Sequence, residues 1–118
     1  MSALPFMIEM SEMSCAVVGG GDVACRRVKL LLEAEAAEVA VIAPTLNEEL
    51  LGLERAGRFR WDCRSAVASE VFLSDKLFLC TNQPELHEAI KKNKAPRQLV
   101  YFADDAGEGN FWEIKSLY

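Results

Sequence analysis

Short apolar runs alternate along this chain with longer stretches whose apolar residues recur every three to four positions. Ser14–Val18 (Ser-Cys-Ala-Val-Val) is an unbroken apolar run that ends in glycines, the pattern of a strand buried on both faces. Residues 22–35 then read as a helix. Ala24, Val28, Leu31 and Leu32 share one face, while Arg27, Lys29 and Glu33 fall largely elsewhere. Asp22 stands at or near the start of that helix, where a carboxylate suits both capping and the dipole. Residues 39–43 form a second strand, stopped by Pro44, and 47–56 a short helix capped by Thr45 or Asn47. Residues 58–63 alternate, with Phe59, Trp61 and Cys63 on one face, as expected of a half-exposed edge strand. Strands are expected again at 76–81 and 98–103, with a helix opened by Pro84 between them and running to about Lys92. Residues 111–114 are a candidate sixth short strand.

This order predicts an α/β fold: a doubly wound, mostly parallel five-stranded sheet with helices on both faces. Right-handed crossovers place the second strand on one side of the first and the 76–81 strand on the other. The switch point then lies over Gly19–Gly21, where such sheets bind ligands.

Composition narrows the function classes. The chain has 118 residues, enough for one domain; 51% are hydrophobic and 26% charged, an ordinary globular balance. A net charge of −5 and a pI near 4.9 argue against a nucleic-acid partner, which needs a basic surface. The local basic groups (Arg26, Arg27, Lys29; Lys91, Lys92, Lys94) read as solvated helix faces. Cys15, Cys25, Cys63 and Cys80 form no C-x-x-C pair and His87 is the single histidine, so no metal site is expected. Cys15, Cys63 and Cys80 fall in apolar runs and are expected as buried free thiols, which suits a reducing cytoplasm. No run approaches the roughly 18 apolar residues of a membrane span, and the N-terminal stretch lacks the basic region of a signal peptide.

The chemistry-bearing motif is Gly19-Gly20-Gly21-Asp22-Val23-Ala24, which fits G-x-G-x-x-[G/A]. Gly19 permits the tight turn, Gly21 lets the backbone approach phosphates, and Ala24 lets the helix pack on the strand. Free N–H groups at the helix start would face a pyrophosphate. The motif follows an apolar strand, opens a periodic helix and precedes a second strand, the context that makes it a Rossmann-like dinucleotide site. The alternative is a glycine-rich turn without ligand. The second strand ends in Ala43-Pro44-Thr45 and lacks the acidic residue that often binds the adenine ribose. Backbone groups or Thr45 would have to serve. Nothing basic stands beside Thr45 to hold a 2′-phosphate, so NAD is expected rather than NADP. Thr81 and Asn82 close the fourth strand and are expected to face the cofactor, Asn82 also capping the helix at Pro84. His87 is expected on the surface.

Several segments together resemble a known family. Val17-Val-Gly-Gly-Gly-Asp-Val-Ala24, Arg27-Val-Lys-Leu-Leu-Leu-Glu-Ala34 and Val41-Ile-Ala-Pro44 look like the start of the precorrin-2 dehydrogenases, the siroheme synthase N-terminal domains. Leu77-Phe-Leu-Cys-Thr-Asn-Gln-Pro-Glu-Leu86, Leu99-Val-Tyr-Phe-Ala-Asp-Asp105 and Pro5-Phe6 extend the likeness over nearly the whole chain. The resemblance implies NAD-dependent oxidation of precorrin-2 to sirohydrochlorin, a tetrapyrrole substrate, and a homodimer. By the family's spacing back from Phe111, it implies Asp104 as general base, with its neighbour Asp105 the other candidate.

The chain departs from the family pattern in four places. Tyr101 replaces a common asparagine; Ala106-Gly-Glu-Gly-Asn-Phe111 replaces Pro-x-x-Cys-Asp-Phe; Glu35-Ala36-Ala37 replaces the glycine turn after the first helix. The family's C-terminal dimerisation and helical region is expected to be missing after Tyr118. Two functional classes follow: a minimal dehydrogenase, or an NAD-binding module without catalysis. An interaction domain that has lost the cofactor is a third, opposed by the intact Gly19, Gly21 and Ala24.

Overall fold

The computed structural model describes residues 4–70 and 72–103. Five strands form one sheet: β1 (Ser14–Val18), β2 (Glu38–Ile42), β3 (Arg60–Asp62), β4 (Lys76–Leu79) and β5 (Leu99–Phe102), in the order β3-β2-β1-β4-β5. All four pairings are parallel among the described residues, in keeping with the mostly parallel five-stranded sheet expected. Helices α1 (Asp22–Glu33), α2 (Glu48–Arg55) and α3 (Pro84–Asn93) connect them, and a short 3-10 turn, Met10–Glu12, precedes β1. Parallel strands need crossovers, and these set which face each helix covers.

Alternation along β1 divides the core. Cys15 and Val17 face α1 and α2, packing with Val28, Leu31 and Leu50. Ala16 and Val18 face the other side, with Leu77, Leu79, Val100 and α3's Ile90. Burying an aliphatic side chain of this kind is worth about 1.5–3 kcal/mol, so each face contributes substantially. β1 has the bounds read from the pattern, β2 is shifted one residue toward the N-terminus, α3 runs one residue further, and the other elements end one or two residues inside. The 58–63 segment shortens most, to the three-residue edge strand β3. Its Phe59 is buried and Trp61 half-buried, and Trp61 Nε1 donates to Ala43 O at 2.9 Å. Cys63 lies beyond the strand and is exposed, contrary to its expected burial, whereas Cys25, in α1, is buried.

α1 ends without glycine, as anticipated, and the structure shows how. Glu35 takes the left-handed conformation, φ 57°. Ala36 N–H donates to Leu31 O and Glu35 N–H to Leu32 O, both at 3.1 Å, the two bonds of a Schellman cap.

The connection from β3 to β4, residues 63–75, carries no helix among its described residues and crosses the second face as a strap. Arg64 ties its start, pairing with Asp62 and with both carboxylate oxygens of Glu70. Phe72 is inserted into the second core, and Gln98 Nε2 donates to Phe72 O and Ser74 O.

Candidate cofactor-binding site

The glycine turn is built by three different requirements. Gly19 has φ +131°, and a Cβ there would lie 2.5 Å from Cys80 O. At Gly20 a Cβ would lie 1.9 Å from Thr45 O, because Gly20 O accepts the Asn47 N–H at 2.9 Å and draws the β2–α2 loop onto the turn. At Gly21 nothing stands within 4 Å of the Cβ position. Gly21 is the N-cap of α1, and no side chain caps the helix there. The first two glycines therefore satisfy the protein's own backbone. The third leaves room above the positive end of a helix, where an anionic group gains from both the free N–H groups and the dipole.

Asp22 is the first helical residue rather than the cap. Its carboxylate accepts from Asn47 Nδ2 at 3.1 Å, while Asn47 Oδ1 caps α2 by accepting the Leu50 N–H at 2.9 Å. Asn47, not Thr45, is thus the α2 cap, and it stitches the starts of both helices together. Ala24 is fully buried against β1, as its small size predicted.

The turn opens into a cleft of about 430 Å³ at the carboxyl ends of β1, β2 and β4. Gly19, Gly20, Gly21, Ala43, Pro44, Thr45 and Thr81 all line it. The side chains of Asp22, Val23 and Asn82 are not in its lining, Val23 being 45% exposed. The cap of α3 is Gln83, not Asn82, and it makes no side-chain capping bond. Asp104 and Asp105, like the candidate strand at 111–114, lie outside the described residues. β5 closes at Phe102, and Ala103 N–H still bonds Leu79 O at 3.0 Å.

Among the further lining residues, two pairs come from segments that the sequence did not assign to the site. Ser65 and Ala66 come from the strap, and Gln83 and Leu86 from the start of α3. The strap has no periodicity to reveal which of its residues face inward. His87 was also misread: it is 4% exposed, its Nε2 and Thr81 Oγ1 are 2.7 Å apart, and its ring lies 5.5 Å from that of Phe102. Arg27 is likewise not a solvated-face residue, since its guanidinium lies about 5 Å over the rings of Phe78 and Tyr101.

The electrostatics around the cleft are largely settled within the protein. Lys29 and Glu49 pair at 2.7 Å, which holds Glu49 below the usual carboxylate range. Arg64 likewise lowers Glu70, so its charge is committed to the strap. Burial pushes the Cys15 thiol up to about 11, which makes it inert beneath the sheet. A larger recess, about 720 Å³, lies on the strap side around Ala16, Ala40 and Arg60, away from the glycine turn. Among the described residues no group of three or more His, Cys, Asp or Glu side chains could hold a metal, and no helix is long and apolar enough to cross a membrane.

Comparison with known proteins agrees with this geometry. A family model described as "Putative NAD(P)-binding" matches residues 6–112. A precorrin-2 dehydrogenase of Bacillus subtilis (strain 168) is 25% identical over 112 residues, 95% of this chain and 68% of that protein. One from Priestia megaterium is 30% identical over 104 residues, 88% of this chain and 51% of that protein. The solved structure of SirC, a precorrin-2 dehydrogenase, superposes with a TM-score of 0.81 at 27% identity, over 93% of this chain and 54% of that one. This sequence thus spans from about half to two thirds of the dehydrogenases it matches. The chain belongs to the NAD(P)-binding family of the precorrin-2 dehydrogenases and siroheme synthases.

Proposed function

We propose that the chain is the cofactor-binding part of an NAD-dependent enzyme that oxidises precorrin-2 to sirohydrochlorin in siroheme biosynthesis. The observation that carries the reading is the open space at Gly21, above an uncapped helix start and at the sheet's switch point. The residues fit the cofactor. Main-chain groups of Gly19, Gly20, Gly21, Asp22 and Val23 would hold the pyrophosphate. Ala43, Pro44 and Thr45 would hold the adenosine end, with Ser65 as a second hydroxyl for a ribose that no carboxylate meets there. Thr81 and Asn82 would bound the nicotinamide end. The Arg64 guanidinium is occupied by Asp62 and Glu70, which favours NAD over the 2′-phosphorylated form.

When bound, NAD supplies the acceptor for hydride. The chain's own task is to take the ring proton that leaves with it, and Asp104 is the residue we assign to it. In sequence, Asp104 comes directly after Ala103, whose N–H bonds Leu79 O at the carboxyl edge of the sheet, the edge on which the cleft opens. In an absorbance assay with enzymatically made precorrin-2 and NAD, the chain produces NADH. Asp104→Asn keeps NAD affinity and slows turnover by about 100-fold or more. Normal turnover by that variant would remove Asp104 from the mechanism.

A second reading is an NAD-binding module without catalysis, favoured by Ala106-Gly-Glu-Gly-Asn-Phe111 where the family carries a different turn. It predicts NAD binding by calorimetry with no tetrapyrrole oxidation. We further propose a homodimer working in the cytoplasm. The dimer is supported by the exposure of Leu4 (72%), Phe6 (74%) and Met7 (101%) and by the apolar pair Phe111-Trp112. The cytoplasm is supported by the free thiols at Cys15, Cys25, Cys63 and Cys80.

A further inference from the structure

In the Thr81–His87 pair, one partner lines the cleft and the other is sealed behind it. Thr81 lies just past β4, half-buried, and contributes to the cleft wall. His87 projects from the first turns of α3 beneath it, 4% exposed, with its ring against Phe102 at the end of β5. A 2.7 Å hydrogen bond joins Thr81 Oγ1 and His87 Nε2. One helix and, behind it, one strand end therefore fix a single hydroxyl in the cleft wall.

From this geometry we infer that His87 is a positioning residue for the cofactor, acting through Thr81. The inference rests on the reading of the cleft as the NAD site. A threonine side chain has two unlike branches on Cβ, so the rotation that aims its hydroxyl also decides where its methyl points. The bond to a packed imidazole selects one rotation. It also sets the hydroxyl's role. With the ring proton on Nε2, the hydroxyl accepts from the ring and its own proton is free to be donated to a carbonyl or phosphate oxygen. With the proton on Nδ1, the hydroxyl gives its proton to the ring and presents only lone pairs. A buried ring held by its neighbours keeps one of these arrangements. Thr81 then meets the cofactor with a fixed hydrogen-bonding character instead of a freely rotating hydroxyl. His87 never touches the cofactor itself.

The test is a double-mutant cycle on NAD affinity, measured by calorimetry on the 118-residue chain. His87→Ala weakens NAD binding about 3- to 10-fold, the span of one net hydrogen bond. Thr81→Val does the same, and the double variant is no weaker than Thr81→Val alone. His87→Gln, whose amide can reach the same hydroxyl, restores most of the affinity. On adding NAD to the wild-type chain, the His87 Nε2 resonance shifts in 15N spectra, which a packing role alone would not produce. If His87→Ala weakens binding equally with and without the Thr81 hydroxyl, or the His87 resonance stays still as NAD saturates, the inference is wrong. His87→Gln guards against unfolding, because loss of affinity in a variant with wild-type melting would count against the rescue. Absence of NAD binding by the wild-type chain would instead bring down the cofactor reading, and this inference with it.

Discussion

An alanine at Gly20 would place its Cβ 1.9 Å from Thr45 O, while one at Gly21 would meet nothing within 4 Å. These neighbours should therefore fail in opposite ways. Gly20→Ala forces the β1–α1 and β2–α2 loops apart and breaks the 2.9 Å bond between Asn47 N–H and Gly20 O, so it should cost about 1–3 kcal/mol of stability. Gly21→Ala leaves the melting temperature near wild type, since φ −96° suits any residue, but should weaken NAD binding at least about 10-fold by filling the phosphate's space. Thermal melts and calorimetry on both variants separate the two roles. The motif's spacing announced three glycines together, but only the packed structure divides them. Contacts from Thr45 and Cys80, distant in sequence, are what make the first two obligatory.

At the level of elements, the end of α1 shows how a local departure is absorbed. The left-handed position after the helix is usually glycine, and here Glu35 occupies it at φ 57° while both Schellman bonds form. A residue with a Cβ costs roughly 1 kcal/mol in that conformation. Glu35→Gly should recover about 0.5–1 kcal/mol, seen as a small rise in denaturant midpoint with unchanged slope. A fall in stability would mean that Glu35's side chain holds the turn in some other way. Other elements were readable because their patterns are local: the apolar run of β1, the spacing of Ala24, Val28 and Leu31, and Pro84 opening α3. The strap at 63–75 was not, because Arg64, Phe72 and Gln98 define it by contacts across the sheet instead of by a repeat.

The whole molecule places a cleft at one end of a parallel sheet and leaves apolar side chains outside it. Leu4, Phe6, Met7 and Leu73 are each at least 72% exposed, and large apolar side chains held in water are what a second copy of the chain would cover. Light scattering coupled to size exclusion should give twice the 13.1 kDa chain mass, and Phe6→Glu with Met7→Glu should return it to the monomer. A monomeric wild-type chain would remove the dimer proposal without touching the cofactor site.

The sequence by itself determined the α/β class, the parallel arrangement about β1, the glycine turn and the kind of ligand it suits. These follow from periodicity and from the steric permissions of single residues, which are local properties. Tertiary structure alone decided that Asn47 and not Thr45 caps α2, that Ser65 and Leu86 reach the cleft, and that His87 is buried against Thr81. Each of those depends on residues brought together by the crossovers, and a lone histidine in a helix carries no mark in the sequence of the hydroxyl six positions earlier that the fold turns toward it.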